Sequence, residues 1–172
     1  MLFVDVRGFT SLSEKMSPSE LADLMNSFYR SSTDAVIKLD GTVDKFVGDQ
    51  IMAFFGAPFR PDDHAERAVQ AAISIVTNVS IMSNELEVGG GVATGVAFVG
   101  NVGGADVADF TVLGDVVNVA ARLQGHASPR EVLLEKSTYQ HVKQWYPYIE
   151  MRKLRLKGKA EATDAWVLRS AG

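Results

Sequence analysis

Two β-rich runs, residues 42–47 and 50–55, meet at Gly48-Asp49, and this hairpin signal restricts the fold more than any other stretch. Upstream, Leu2-Phe3-Val4-Asp5-Val6 is an apolar run broken by one carboxylate, and it reads as a strand. The loop Arg7-Gly8-Phe9-Thr10 leads into polar sequence. Ser17-Pro18-Ser19-Glu20 is then a capping box with proline at the first helical position. Leu21, Leu24, Met25, Phe28, Ala35, Val36 and Leu39 follow at helical spacing, and Asp40-Gly41 ends that helix. Beyond the hairpin, Ala57-Pro58-Phe59-Arg60-Pro61 is a loop. Asp62 or Asp63 can cap a second helix, whose buried face is Ala65, Ala68, Val69, Ala72, Ile73 and Val76.

Residues 92–99 supply a further strand, so the order becomes βαββαβ, the split arrangement of the ferredoxin-like group. The spacing predicts additional α/β elements after it: strands over 110–113 and 131–135, helices over 115–124 and 138–143, and strands over 148–156 and 165–168. The fold class is therefore α/β of the α+β type, with a ferredoxin-like palm core. At 172 residues, 47% hydrophobic and 22% charged, the chain has the length and composition of one globular domain. It holds no apolar run of about 18 residues, so no membrane contact is expected of this segment. The formal charge of -4, without any Lys/Arg block, argues against a nucleic-acid partner. Cysteine is absent, which excludes disulfides and thiolate metal sites and fits a reducing, cytoplasmic location. Because the chain opens inside a strand, a domain excised from a longer multidomain protein is the expectation.

Asp5 is the first residue that packing does not explain. A buried unpaired carboxylate costs several kcal/mol, on the order of the penalty for any desolvated ion, so it needs a cation, an arginine or backbone donors. Asp49 lies at the tip of the hairpin that should pair beside the first strand, bringing the two carboxylates together. Such a pair repels unless a cation lies between, and Mg²⁺ suits one or two carboxylates completed by water and phosphate oxygens. The structural alternatives stay open: Asp is common in Gly-Asp turns, and Asp5 could pair with Arg7 or a core arginine.

Further on, Gly114-Asp115-Val116-Val117-Asn118-Val119-Ala120-Ala121-Arg122 opens with an Asp cap and continues as an amphipathic helix. Asn118 and Arg122 are one turn apart, hence on one face. Arginine's fork matches phosphate oxygens and asparagine can orient a ribose, although most such pairs are solvated surface. Lys45 precedes Asp49 by four residues and would ordinarily face solvent or pair with Asp44. Val88-Gly89-Gly90-Gly91-Val92 and Gly100-Asn101-Val102-Gly103-Gly104 resemble hairpin turns or bulges and match no phosphate-loop or dinucleotide fingerprint. His64, His126 and His141 lack metal-ligand spacing and read as surface residues.

Three stretches together, residues 3–10 (FVDVRGFT), 44–56 (DKFVGDQIMAFFG) and 110–123 (FTVLGDVVNVAARL), resemble the class III adenylyl cyclase catalytic domain over nearly the whole chain. The segment between Ile81 and Val88 is short beside that family. The resemblance implies an adenylate cyclase that converts ATP to 3′,5′-cyclic AMP and pyrophosphate with two divalent cations, Mg²⁺ or Mn²⁺. It implies that Asp5 and Asp49 are the metal-binding aspartates, that Lys45 reads the purine, that Asn118 orients the ribose and that Arg122 stabilises the transition-state phosphate. Lys157, in Leu156-Lys157-Gly158-Lys159, resembles a lysine that contacts the terminal phosphates. Thr111 stands where many members have Asp as the second purine contact. The Lys45/Thr111 pair resembles the subgroup called class IIIb, several of whose members are stimulated by bicarbonate. Family members work as dimers with shared sites, so a homodimer with two equivalent sites is expected. Competing readings are an inert cyclase-like dimerisation or nucleotide-sensing module, a guanylyl cyclase, and a palm-type nucleotidyl transferase.

Overall fold

In the computed structural model, which describes residues 1–82, 86–104, 108–159 and 161–170, a seven-stranded mixed sheet carries the chain. Its first strand β1 (Leu2–Val6) leads through α1 (Phe9–Lys15) and α2 (Pro18–Ile37) to the hairpin β2 (Thr42–Val47) and β3 (Gln50–Phe54). Helix α3 (His64–Met82) then returns the chain to β4 (Val88–Val92). These four strands lie in the order β2-β3-β1-β4, all antiparallel to their neighbours, which is the expected βαββαβ core. Residues 83–85, in the segment expected to be short, lie outside the described residues.

A small hairpin, β5 (Phe98–Gly103) with β6 (Ala108–Leu113), stands apart as its own two-stranded sheet. Helix α4 (Asp115–His126), β7 (Glu131–Glu135), α5 (Lys136–Val142), β8 (Glu150–Leu154) and β9 (Thr163–Arg169) complete the chain. The last three strands extend the main sheet to β2-β3-β1-β4-β7-β9-β8, with β4 and β7 parallel. No helix among the described residues is long and apolar enough to cross a membrane.

Period-two alternation decides what each face of β1 meets. Leu2, Val4 and Val6 join Phe28, Val36, Ile51, Ile75 and Val76 in a core beneath α2 and α3. Phe3 joins Met52, Phe54, Val119, Ala120, Leu123 and Leu133 in a second core under α4. Fully buried side chains such as Phe28 and Leu123 each contribute about 1.5–3 kcal/mol of hydrophobic stabilisation. Asp5 shares the parity of Phe3 and so belongs to the α4 side, at the strand's end where the core stops.

Four sequence expectations about the elements are corrected. The polar stretch after Gly8 contains a helix, α1, because Gly8 takes φ 68° and turns the chain directly into it, with Phe9 and Leu12 packed on the first core. The glycine run 88–92 is not a turn but a fully buried strand between β1 and β7. Its glycines serve close approach: a Cβ on Gly91 would collide with the Ala120 carbonyl and the Gln124 amide of α4, and one on Gly89 with the Arg7 guanidinium. The strand expected over 92–99 is accordingly divided, Val92 closing β4 and Phe98 opening β5, and Gly100 to Gly103 is strand as well.

Candidate active site

The end of β1 and the hairpin tip are tied together by backbone, since the Val6 amide donates to the Asp49 carbonyl at 3.1 Å. Asp5 sits opposite Gln50 on β3 and opposite Gly89 on β4. Gly48 takes φ 59° in the turn, and its carbonyl accepts from the Tyr29 hydroxyl of α2. The Tyr29 ring in turn lies 4.3 Å from that of Phe46, which steadies the tip from below. Burial first, and the charge of Asp49 second, push the Tyr29 hydroxyl above its ordinary pKa.

Asp5 does have Arg7 beside it, as the structural alternative required, with Oδ1 and Nη1 3.2 Å apart. The pairing is incomplete. Asp5 Oδ1 is buried with no hydrogen-bond partner, and so is Arg7 Nε. Arg7 spends its Nη2 donor on the backbone carbonyl of Gln124 in α4. Burial pushes the Asp5 carboxyl above its ordinary range; Arg7 and the Gln124 side chain pull it back, and Asp49 pushes it further up. Gln124 is itself buried, and its Oε1 accepts from Gln50 Nε2 at 2.9 Å, linking α4 to the hairpin. Two neighbouring carboxylates with an unsatisfied oxygen form an all-oxygen donor set that fits a hard divalent cation. No cluster of three or more His, Cys, Asp or Glu among the described residues is placed to hold a metal, so other ligands would come from backbone, water or substrate oxygens.

A second group forms where β2 meets β6. The register of β2 against β3 shifts between Val43 and Lys45, leaving Asp44 as the extra residue of a bulge. The Asp44 side chain is fully buried, and its Oδ2 accepts from the Thr111 hydroxyl at 3.0 Å. Lys45 Nζ lies 3.6 Å from the same Oδ2 and bonds Asp109 of β6. The hydrogen bond that Lys45 donates to the Asp109 carboxylate is the main cause raising the Lys45 pKa, and it keeps the amine charged. Lys45 and Thr111 are thereby brought together, through a buried carboxylate whose bond to Thr111 the sequence does not announce.

The third group is on α4. Its N-cap is Gly114, with no side-chain cap; the expected Asp115 cap is corrected, because Asp115 instead pairs with Lys159 at 2.6 Å. Asn118 is exposed and Arg122 half-buried, on the face turned away from buried Ala120 and Gln124. The Arg122 guanidinium lies against Gly158, where a Cβ would stand 3.3 Å from Nη2. Lys157, exposed in that loop after β8, is therefore a chain neighbour of the Arg122 contact. No hydrogen bond or ion pair among the described residues connects Asp5 or Asp49 with Asn118, Arg122, Lys45 or Thr111. A cavity of about 470 Å³ beside α4 is lined by Asp115, Lys159 and Thr163 and includes neither Asp5 nor Asp49. His126 and His141 are exposed as expected, whereas His64 is half-buried with its ring 5.7 Å from that of His141.

The sequence matches the family model described as "Adenylate and Guanylate cyclase catalytic domain" over residues 1–170. The chain belongs to that family. Among solved structures, the adenylyl cyclase CyaB from P. aeruginosa superposes with a TM-score of 0.88 at 32% identity, covering 99% of this chain and 93% of that one. The guanylyl cyclase Cya2 superposes at 0.86 with 28% identity, covering 99% and 91%. Adenylate cyclase 1 of Rhizobium meliloti is 29% identical over 175 residues, 96% of this chain. This chain spans 26% of that relative's length, so it corresponds to the cyclase domain of a longer protein there. The family thus has both adenylyl and guanylyl cyclases near this sequence.

Proposed function

We propose that the chain is an adenylate cyclase, converting ATP to 3′,5′-cyclic AMP and pyrophosphate at sites shared between two copies. The observation that carries this reading is the under-satisfied Asp5 carboxylate beside Asp49, with Asn118 and Arg122 on the α4 face turned away from buried Gln124 and bonded to neither aspartate. One copy supplies the acidic groups with neither Asn118 nor Arg122 bonded to them; a second copy would supply those two donors. The 32% identity to CyaB and the Lys45/Thr111 pair favour adenine as the base.

In this reading Asp5 and Asp49 would hold two divalent cations, Mg²⁺ or Mn²⁺. Bound there, the metals would activate the ribose 3′-hydroxyl and neutralise charge on the triphosphate. The 3′-oxygen attacks the α-phosphorus, the bond to the bridging oxygen breaks, the 3′ proton leaves to solvent or substrate phosphate, and pyrophosphate departs. Arg122 stabilises the charge that grows on the phosphoryl oxygens, because a fixed guanidinium in a partly dry site acts without reorganising. Asn118 orients the ribose and Lys157 contacts the terminal phosphates. Lys45 donates to the purine, and Thr111 takes the second contact.

Purified protein incubated with ATP or GTP and Mg²⁺ or Mn²⁺ tests the reading. Cyclic AMP is expected as the main product, and its absence from a folded, dimeric preparation would overturn it. Bicarbonate added at constant pH should raise the rate if the Lys/Thr pair carries the class IIIb property with it.

A further inference from the structure

We propose that Asp44 is a specificity-positioning residue, which fixes the Thr111 hydroxyl as an obligate hydrogen-bond acceptor and so selects adenine over guanine. The inference rests on the purine-reading assignment of Lys45 and Thr111 made above and adds a residue and a reason to it.

In a regular strand, neighbouring side chains point to opposite faces. The bulge at Asp44 breaks that rule, and both Asp44 and Lys45 address the same cluster. Burying a carboxylate there costs free energy unless it is used. Asp44 has no exposed side-chain surface, its Oδ1 finds no hydrogen-bond partner, and its Oδ2 takes the Thr111 proton. The cost of burial is offset by that hydroxyl and by the ammonium of Lys45.

A hydroxyl has one proton and two acceptor sites, so alone it reads a donor and an acceptor equally well. An ionised carboxylate only accepts, and the geometry has the Thr111 proton pointing to it. Thr111 is left with only lone pairs to offer a ligand. Lys45, whose ammonium is shared with Asp109 and Asp44, can only donate. One fixed donor beside one fixed acceptor matches the adenine edge, where N1 accepts and the 6-amino group donates. Guanine presents the reverse order, with N1–H donating and O6 accepting. It would leave the ammonium facing a donor and the Thr111 oxygen facing an acceptor. Without Asp44 the hydroxyl could turn and donate to O6, and discrimination would weaken.

The test is the ratio of kcat/KM on ATP to that on GTP. Asp44→Asn should lower it about tenfold, the worth of one misdirected hydrogen bond, through a gain on GTP as well as a loss on ATP. Thr111→Val should lower it by a similar factor, and adding Asp44→Asn to Thr111→Val should lower it no further. That non-additivity separates positioning through Thr111 from general damage to the strand, which would add. An unchanged ratio in folded Asp44→Asn, or full additivity in the double variant, overturns the inference. If Asp44→Asn does not fold, an unchanged ratio in Thr111→Val overturns it alone. Failure of the parent chain to cyclise either nucleotide would instead remove the underlying reading, and the two failures are thereby distinct.

Discussion

Two clusters of acid and base flank β4 in the main sheet, one on β1 and β3 and the other on β7, β9 and β8, and they are built to different standards. On the β7-β9-β8 side, buried Glu131 receives both Nη atoms of Arg152 at 2.7 Å, the Nε of Arg169 at 3.2 Å and the Ser128 amide at 3.1 Å. Glu150 closes the network through Arg152 and Arg169. The Arg152 hydrogen bonds pull the Glu131 pKa down to about 2. On the β1-β3 side, Asp5 has one arginine, that arginine's donors are divided with a backbone carbonyl, and the Asp5 pKa moves up. A satisfied carboxylate network serves the fold. A carboxylate left short of partners, beside a second one, stands ready for a ligand that the protein itself does not contain.

Substitutions should separate the two clusters cleanly. Asp49→Ala should cut cyclic-nucleotide production by at least about a thousandfold while the thermal midpoint stays near the parent's. Product assay and thermal unfolding on one preparation check both halves; comparable losses in activity and stability would erase the contrast. Glu131→Gln should do the opposite, lowering urea-unfolding stability by about 2 kcal/mol with activity per folded chain retained, because two arginines lose their shared partner.

The pH dependence sharpens the same comparison. Glu131 has a folded pKa of about 2, below the ordinary 4.5, so its contribution is complete above roughly pH 4.5 and disappears as pH falls towards 2. Allowing for screening by solvent, that contribution is on the order of 1–2 kcal/mol. Urea midpoints between pH 6 and 3 should fall less steeply in Glu131→Gln than in the parent. The smallest effect is expected for Asp5→Asn on stability, within about 1 kcal/mol of the parent, since the neutral side chain removes a buried charge as it weakens the Arg7 pair. A large loss of stability there would mean that Asp5 is structural after all.

What the sequence made legible was local. The capping box at Ser17 is present as read, with the Ser17 side chain accepting from the Glu20 amide and the Glu20 carboxylate accepting from the Ser17 amide. The Gly48-Asp49 turn joins two strands as read. The convergence of Asp5 with Asp49 followed from topology, because strand order alone places a hairpin tip beside the end of β1. The glycine strand β4 was illegible, because its reason lies in α4, some thirty residues away in sequence, passing close over Gly91. Gln124 escaped notice for the same cause: a glutamine inside an amphipathic helix says nothing of Gln50 or Arg7 until the helix is laid on the sheet. Asp44 was visible only as a neighbour of Lys45. Its hydrogen bond to Thr111 spans 67 positions and depends on a bulge that no local pattern predicts.

The central claim is that the metal-side and phosphate-side residues of one chain serve different sites, each completed by a second copy. Mixing Asp49→Ala chains with Arg122→Ala chains, each inactive alone, tests it most directly. Random pairing into symmetric dimers should restore about a quarter of the parent activity, from heterodimers with one intact site. Product formation that stays at the level of the separate variants, in a mixture shown to exchange subunits, would contradict the account.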